Sequence, residues 1–150
     1  MSIAEDTILL VEDDPNDVLL IQRAFRKANV KNHLLVVEDG EAAVLYLSGK
    51  DRYQDRDRYP LPRLMLLDIR LPRKSGFEVL TWLRQQPDLN RLPVVVLASS
   101  TENGDIKQAY NLGANSYLVK PVGFDVLLEM VKTLNLYWLL FNEKPRVEDK

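Results

Sequence analysis

Arg63-Leu64-Met65-Leu66-Leu67-Asp68-Ile69-Arg70-Leu71-Pro72 contains four consecutive apolar residues that stop at a carboxylate, with an arginine two positions on and a proline two further. A buried parallel strand reads as such an unbroken apolar run, because both of its faces are covered. In open α/β sheets ligands bind just beyond the carboxyl ends of the strands. An aspartate at that point can meet solvent and a ligand while its backbone is held by the sheet. Taken alone, Asp68 could equally be a turn cap ahead of Pro72, and the rest of the chain has to decide.

The same pattern recurs on both sides. Thr7 to Val11 is an apolar run ending in Glu12, Asp13 and Asp14, followed by Pro15. Asp14 suits the N-cap and Pro15 the first turn of a helix, and Val18, Ile21, Ala24, Phe25 and Ala28 recur at helical spacing. Leu34 to Val37 is a second short strand, again ending in acids, with a helix expected from Glu41 to Leu47. Ser75 is a fair N-cap for a helix through Val79, Leu80, Trp82 and Leu83. Pro93 to Ala98, rich in β-branched residues, is a fourth strand running into Ser99 and Ser100. A helix through Ile106, Ala109, Tyr110 and Leu112 is closed by Gly113, and Ser116 to Val119 makes a fifth strand ending at Lys120-Pro121. Phe124 to about Phe141 reads as one long last helix. Between Ser48 and Pro62 the pattern lapses, and Asp51 to Arg58 carries three acids and three bases. A solvated loop is expected there, with a partner-binding tip as the alternative.

Strands alternating with helices predict an α/β fold: a doubly wound, five-stranded parallel sheet of (βα)5, flavodoxin-like topology. One domain over residues 1–150 is expected, with its core at about 6–134, a helical extension beyond, and no output domain. Composition narrows the function. The 150 residues are 46% hydrophobic and 28% charged, with a net charge of −2, no cysteine and one histidine. Thiolate chemistry and disulfides are excluded. His33 alone makes a Ser-His-Asp triad or a multi-histidine zinc site improbable. The scattered charge offers no basic face for nucleic acid, and neither a secretory leader nor a membrane span is visible, so a cytoplasmic location is expected.

In this topology the strand ends share one edge. It collects Glu12 and Asp13, Asp68, Ser99 and Lys120. Three close carboxylates repel one another unless a cation intervenes. Mg2+ suits such a site, since it takes oxygen ligands, keeps several waters and commonly shares its shell with phosphate. Lys120 supplies a compact positive charge for a phosphoryl oxygen. Ala98 and Ser99 are small enough to admit the incoming group and can donate backbone N–H groups to it. Lys120 and Ser99 are therefore the candidate catalytic residues, and the chemistry favoured is in-line phosphoryl transfer to a carboxylate oxygen.

Together these residues resemble the receiver domain of two-component response regulators. Val11-Glu12-Asp13-Asp14 is similar to the family's acidic pair. Asp68-Ile69-Arg70-Leu71-Pro72 with Gly76 is similar to its phosphoacceptor motif, and Lys120-Pro121 to its lysine and following proline. The resemblance implies that Asp68 accepts a phosphoryl group from a histidine kinase. It implies Mg2+ held by Asp13, Asp68 and the backbone carbonyl of Arg70, with Glu12 acting through water. It also implies a cis peptide between Lys120 and Pro121.

One position departs from the family's pattern. Ala98 stands 22 residues before Lys120, where the family has threonine or serine. Tyr117 matches the aromatic that normally moves with that hydroxyl, so a weaker or differently wired output is expected. The segment Asn135 to Phe141 is too apolar for a solvated end. Tyr137, Trp138 and Phe141 are expected to form a homodimer interface, the alternative being that the segment folds back on its own domain. The extension, the 48–62 loop and Asn111 to Asn115 resemble the stand-alone regulators paired with bacterial and cyanobacterial phytochromes, which implies a phytochrome-type kinase as partner.

Rival readings are weaker. An aspartyl-phosphate phosphatase commonly has a second aspartate where Arg70 stands. A dinucleotide binder needs a glycine-rich loop where Glu12-Asp13-Asp14-Pro15 would repel phosphate. A degenerate receiver acting as a phosphorylation-independent docking module remains the alternative that Ala98 keeps open.

Overall fold

A computed structural model describes residues 7–141 of the chain, with side chains as far as Trp138. Its elements are β1 (Thr7–Val11), α1 (Pro15–Lys27), β2 (His33–Val37), α2 (Gly40–Ser48), β3 (Leu64–Leu67), α3 (Gly76–Arg84), β4 (Val94–Ala98), α4 (Asn103–Asn111), β5 (Ser116–Val119) and α5 (Phe124–Leu134). The five strands form one sheet in the order β2-β1-β3-β4-β5, and every pairing is parallel. The expected α/β architecture is the observed one.

Strand burial follows strand position. Every residue of β1, β3 and β4 is buried, whereas the edge strands β2 and β5 are partly exposed. Successive side chains of the central strands divide between two cores. Leu9, Val11, Met65, Leu67, Val94 and Val96 face one side, with Ala43, Leu47, Val79, Leu80 and Leu83 of α2 and α3. Ile8, Leu10, Leu64, Leu66, Val95 and Leu97 face the other, with Ile21 and Phe25 of α1 and Leu127 and Val131 of α5. The strand order reverses direction between β1 and β3, so their carboxyl ends flank the crevice where such sheets bind ligands.

The local signals act as read. The Asp14 side chain accepts the backbone N–H of Asn16 at 2.9 Å, with Pro15 opening α1. Ser75 and Glu78 form a reciprocal capping box at the start of α3. Gly113, with φ +105°, follows the end of α4.

Three expectations need correction. The 48–62 segment is not simply a solvated loop. Its charged residues are exposed except for half-buried Arg56, but Tyr53 is buried, its ring packing tilted or edge-on against Tyr46 and Tyr59, each at 5.1 Å. Arg56 donates to the carbonyls of Tyr46, Tyr59 and Leu47 at 2.8–2.9 Å, and the Tyr46 hydroxyl donates to Pro60 O at 2.7 Å. The arginine thus adds donors to carbonyls in the last turn of α2, where helical geometry runs out of backbone N–H partners. Dense alternating charge hid two tyrosines, Tyr53 and Tyr59.

The last helix is not one α-helix: after Leu134 the backbone continues as a π-helical segment, Asn135–Phe141. Trp138 is half-buried and packs against the core shared by α1 and α5, which favours the fold-back alternative for that residue. Tyr137 stays 58% exposed, with its ring 5.0 Å from Trp138. The Phe141 side chain and the polar tail 142–150 lie outside the described residues.

Finally, the Lys120–Pro121 peptide is trans, as are all described peptide bonds. For a residue before proline the trans form is still favoured, by about 0.5–1 kcal/mol. Among the described residues no helix is long and apolar enough to cross a membrane.

Candidate functional site

The sheet ladder carries each key residue to the edge. Asp68 N–H donates to Val11 O at 3.1 Å, Glu12 N–H to Val37 O at 3.0 Å and Lys120 N–H to Ala98 O at 2.8 Å. The three residues that end β1, β3 and β5 are therefore still tied to the neighbouring strands while their side chains leave the core. Beyond Asp68 the chain folds back tightly. Arg70 N–H donates to Asp68 Oδ1 at 3.1 Å, and Gly76 N–H to Ile69 O at 3.0 Å. A Cβ on Gly76 would fall 2.2 Å from the Asp68 carbonyl, so only glycine admits this close pass.

At the centre stands the Lys120 ammonium. Its Nζ contacts Glu12 Oε1, Asp17 Oδ2 at 2.9 Å and Asp68 Oδ2 at 3.1 Å. Glu12 and Asp68 are 2% and 7% exposed, low values for carboxylates. Such burial demands pairing. Burial pushes the Glu12 carboxyl up to about 7, with the Lys120 hydrogen bond opposing and the Asp68 charge adding to the rise. Burial pulls the Lys120 pKa down, but its hydrogen bonds to Glu12 and Asp17 and the charge of Asp68 outweigh it, so the ammonium is held charged.

Glu12, Asp13 and Asp68 each offer a carboxylate oxygen within 4.8 Å of the others. Three converging hard oxygens, one on exposed Asp13 and open to water, fit a divalent cation that keeps part of its hydration shell. Beside them a cleft of about 530 Å3 is lined by Asp68, Arg70, Ser99, Ser100, Thr101 and Glu102. Its opening onto the Asp68 carboxylate leaves room for an incoming phosphoryl group.

The structure therefore brings Glu12, Asp13, Asp68 and Lys120 together and sets Ser99, which is exposed, on the cleft wall. Ala98 is fully buried at the end of β4. Tyr117 is half-buried, and its hydroxyl donates to Ser100 O at 3.0 Å. Burial raises the Tyr117 pKa, although the hydrogen bond to Ser100 opposes this. Three participants escaped sequence reading. Asp17 is a first-turn acid of α1, which reads as a helix-dipole partner until the fold sets it beside Lys120. Asp105 receives the Ser100 hydroxyl at 2.6 Å and the Arg70 guanidinium at 3.2 Å. Ser100, beside Ser99, carries the contact to Tyr117. No local pattern marks the Asp17–Lys120, Arg70–Asp105 or Tyr117–Ser100 contacts, since their partners lie on other elements.

Comparison with known proteins gives the same picture. The family model for the response regulator receiver domain matches residues 8–132. The chain is 41% identical over 144 residues to the probable methanogenesis regulatory protein FilR2 of Methanothrix harundinacea, covering 95% of this chain and 90% of that protein. It is 39% identical over 132 residues to response regulator Rcp1 of Synechocystis, covering 88% of each. The Mn(2+)-bound form of Rcp1 superposes with a TM-score of 0.84 at 38% identity, covering 94% of this chain and 99% of that one. The phosphorylated cyanobacterial phytochrome response regulator RcpA superposes at 0.87 with 37% identity and the same coverage. Matched by that family model over residues 8–132, and 39–41% identical to these relatives over most of both lengths, the chain belongs to the response regulator receiver domain family.

Proposed function

We propose that Asp68 is the phosphoacceptor of this receiver, taking a phosphoryl group from the phosphohistidine of a sensor kinase. The observation that carries this reading is the placement of the Asp68 carboxylate. It stands at the β1/β3 crevice, open to a cleft, with the Lys120 ammonium 3.1 Å away. A carboxylate oxygen of Asp68 attacks phosphorus; the P–O bond forms as the P–N bond to the kinase histidine breaks. The electron pair of that bond leaves with the imidazole. Lys120 neutralises charge developing on the phosphoryl oxygens, with Ser99 on the cleft wall beside Asp68. A divalent cation, for which Mg2+ is our reading, supplies further charge neutralisation when held by Asp13, Asp68 and the Arg70 carbonyl, with Glu12 acting through water.

The likeness to Rcp1 and RcpA supports a signalling role with a phytochrome-type histidine kinase as the donor, which we read as cytoplasmic. Exposed Tyr137 supports a homodimer through the C-terminal segment. The gathering of Glu12, Asp13, Asp68 and Lys120 supports phosphotransfer over a docking-only role. The test is phosphotransfer from labelled histidine kinase to the wild-type chain and to Asp68→Asn. Labelling of the wild type and its loss in the variant is the expected result; full labelling of the variant would remove Asp68 from the role.

A further inference from the structure

The three carboxylate partners of Lys120 are not equivalent. Glu12 and Asp68 belong to the group that converges on a cation position, together with Asp13. Asp17, at 2.9 Å from Nζ, lies outside that group and comes from α1 rather than from a strand end. An ammonium and a divalent cation cannot share the same oxygens without strong mutual repulsion. A cation held directly by Asp68 and through water by Glu12 competes with Lys120 for both carboxylates, and the ammonium must loosen its hold on them. Its side chain is only 14% exposed, so water cannot fully replace them. An ammonium left there without a partner is strongly unfavourable. Asp17 is positioned to prevent that. The Asp14 cap and Pro15 fix the first turn of α1, so Asp17 holds its place independently of the strand-end acids.

We propose that Asp17 is a positioning residue: it holds the Lys120 ammonium beside the site while a divalent cation engages Asp68 directly and Glu12 through water, leaving the lysine within reach of an arriving phosphoryl oxygen. This rests on the metal reading under Proposed function. The competing account makes Asp17 an ordinary acid of the first helical turn, favourable to the α1 dipole and indifferent to Lys120.

A double-mutant cycle read by metal affinity separates them. Mn2+ binding is measured by electron paramagnetic resonance of the free ion for wild type, Asp17→Asn, Lys120→Met and the double variant, with thermal unfolding recorded for each. Asp17→Asn is expected to weaken Mn2+ binding roughly threefold to tenfold when Lys120 is present, and less than about twofold when it is methionine. Asp17→Glu, which keeps the charge, is expected to restore most of the wild-type affinity and guards against a folding defect in the asparagine variant. Equal weakening in both lysine backgrounds would overturn the proposal, because a plain charge effect does not depend on Lys120. Unchanged affinity in Asp17→Asn would overturn it as well. If the wild-type chain itself bound no Mn2+, the metal reading would fall and this inference with it; a wild type that binds with an uncoupled cycle defeats the role of Asp17 alone.

Discussion

The Tyr117 hydroxyl donates to the backbone carbonyl of Ser100 at 3.0 Å, tying β5 to the chain two residues beyond Ala98. Ser100 in turn bonds through its own hydroxyl to Asp105, and Asp105 also takes the guanidinium of Arg70. Arg70 N–H rests on Asp68 Oδ1. A continuous set of polar contacts therefore runs from the carboxylate to the tyrosine through Arg70, Asp105 and Ser100, past a position where Ala98 has no hydroxyl to offer. The Arg70–Asp105 pair is exposed on the arginine side, so it is a weak and reversible link.

Restoring the hydroxyl should restore the direct route. Ala98→Thr adds atoms at a fully buried position and is expected to destabilise the fold by roughly 1–2 kcal/mol. It should also enlarge the phosphorylation-dependent change at Tyr117, read by amide hydrogen exchange of β5 and α4 with and without phosphoryl donor. Identical exchange changes in wild type and variant would show that Ala98 does not limit the output.

Glu12 gives a pH signature in the metal-free protein. Burial lifts its folded pKa from 4.5 to about 7. Below 4.5 the group is protonated in both folded and unfolded chains, and its contribution is complete. As pH rises from 4.5 to about 7 the unfolded chain gives up this proton first, so the contribution to stability falls. Denaturant titrations with chelator present should therefore show stability declining across this window by on the order of 1–3 kcal/mol, and Glu12→Gln should flatten the decline. An unchanged slope in Glu12→Gln would assign the pH dependence elsewhere.

Gly76 has a purely steric role at the site. Gly76→Ala drives a methyl into the Asp68 carbonyl and the Ile69 Cα, at 2.2 and 2.6 Å. Both are backbone atoms and cannot rotate away. A loss of roughly 2–3 kcal/mol is expected in chemical denaturation. The rate of phosphotransfer should fall as well, because Asp68 sits on the displaced strand. A variant that keeps wild-type stability would mean that the β3–α3 turn is softer than its geometry implies.

The C-terminal segment separates packing from association. Trp138 lies half-buried against its own core, so Trp138→Glu should lower the unfolding temperature. Tyr137, being exposed, should tolerate glutamate with little change in stability, yet weaken self-association at least roughly tenfold if it anchors the homodimer. Thermal unfolding reads the first effect and sedimentation over a concentration range the second, and wild-type association in Tyr137→Glu would place the interface elsewhere.

The strands, their parallel order and the acids and lysine at their ends were all readable from residue order. Buried parallel strands must be apolar on both faces, so each polar residue that stops a run marks a strand end, and Asp68, Glu12 and Lys120 each stop one. Caps at Asp14 and Ser75 were equally legible, because a cap bonds to neighbours two or three residues away. What no local pattern could carry was partnership across the chain. Asp17 meets Lys120 over a separation of 103 residues, and Arg70 meets Asp105 over 35. The tyrosines of the 48–62 segment were masked by their charged neighbours, and the packing of Trp138 against its own core was not written in the apolar run that carries it. Those contacts depend on which helix lies over which strand end, and only the packing of the whole sheet decides that. The Asp68 carboxylate is marked by its strand; the charges that Lys120 must balance around it are set by the fold.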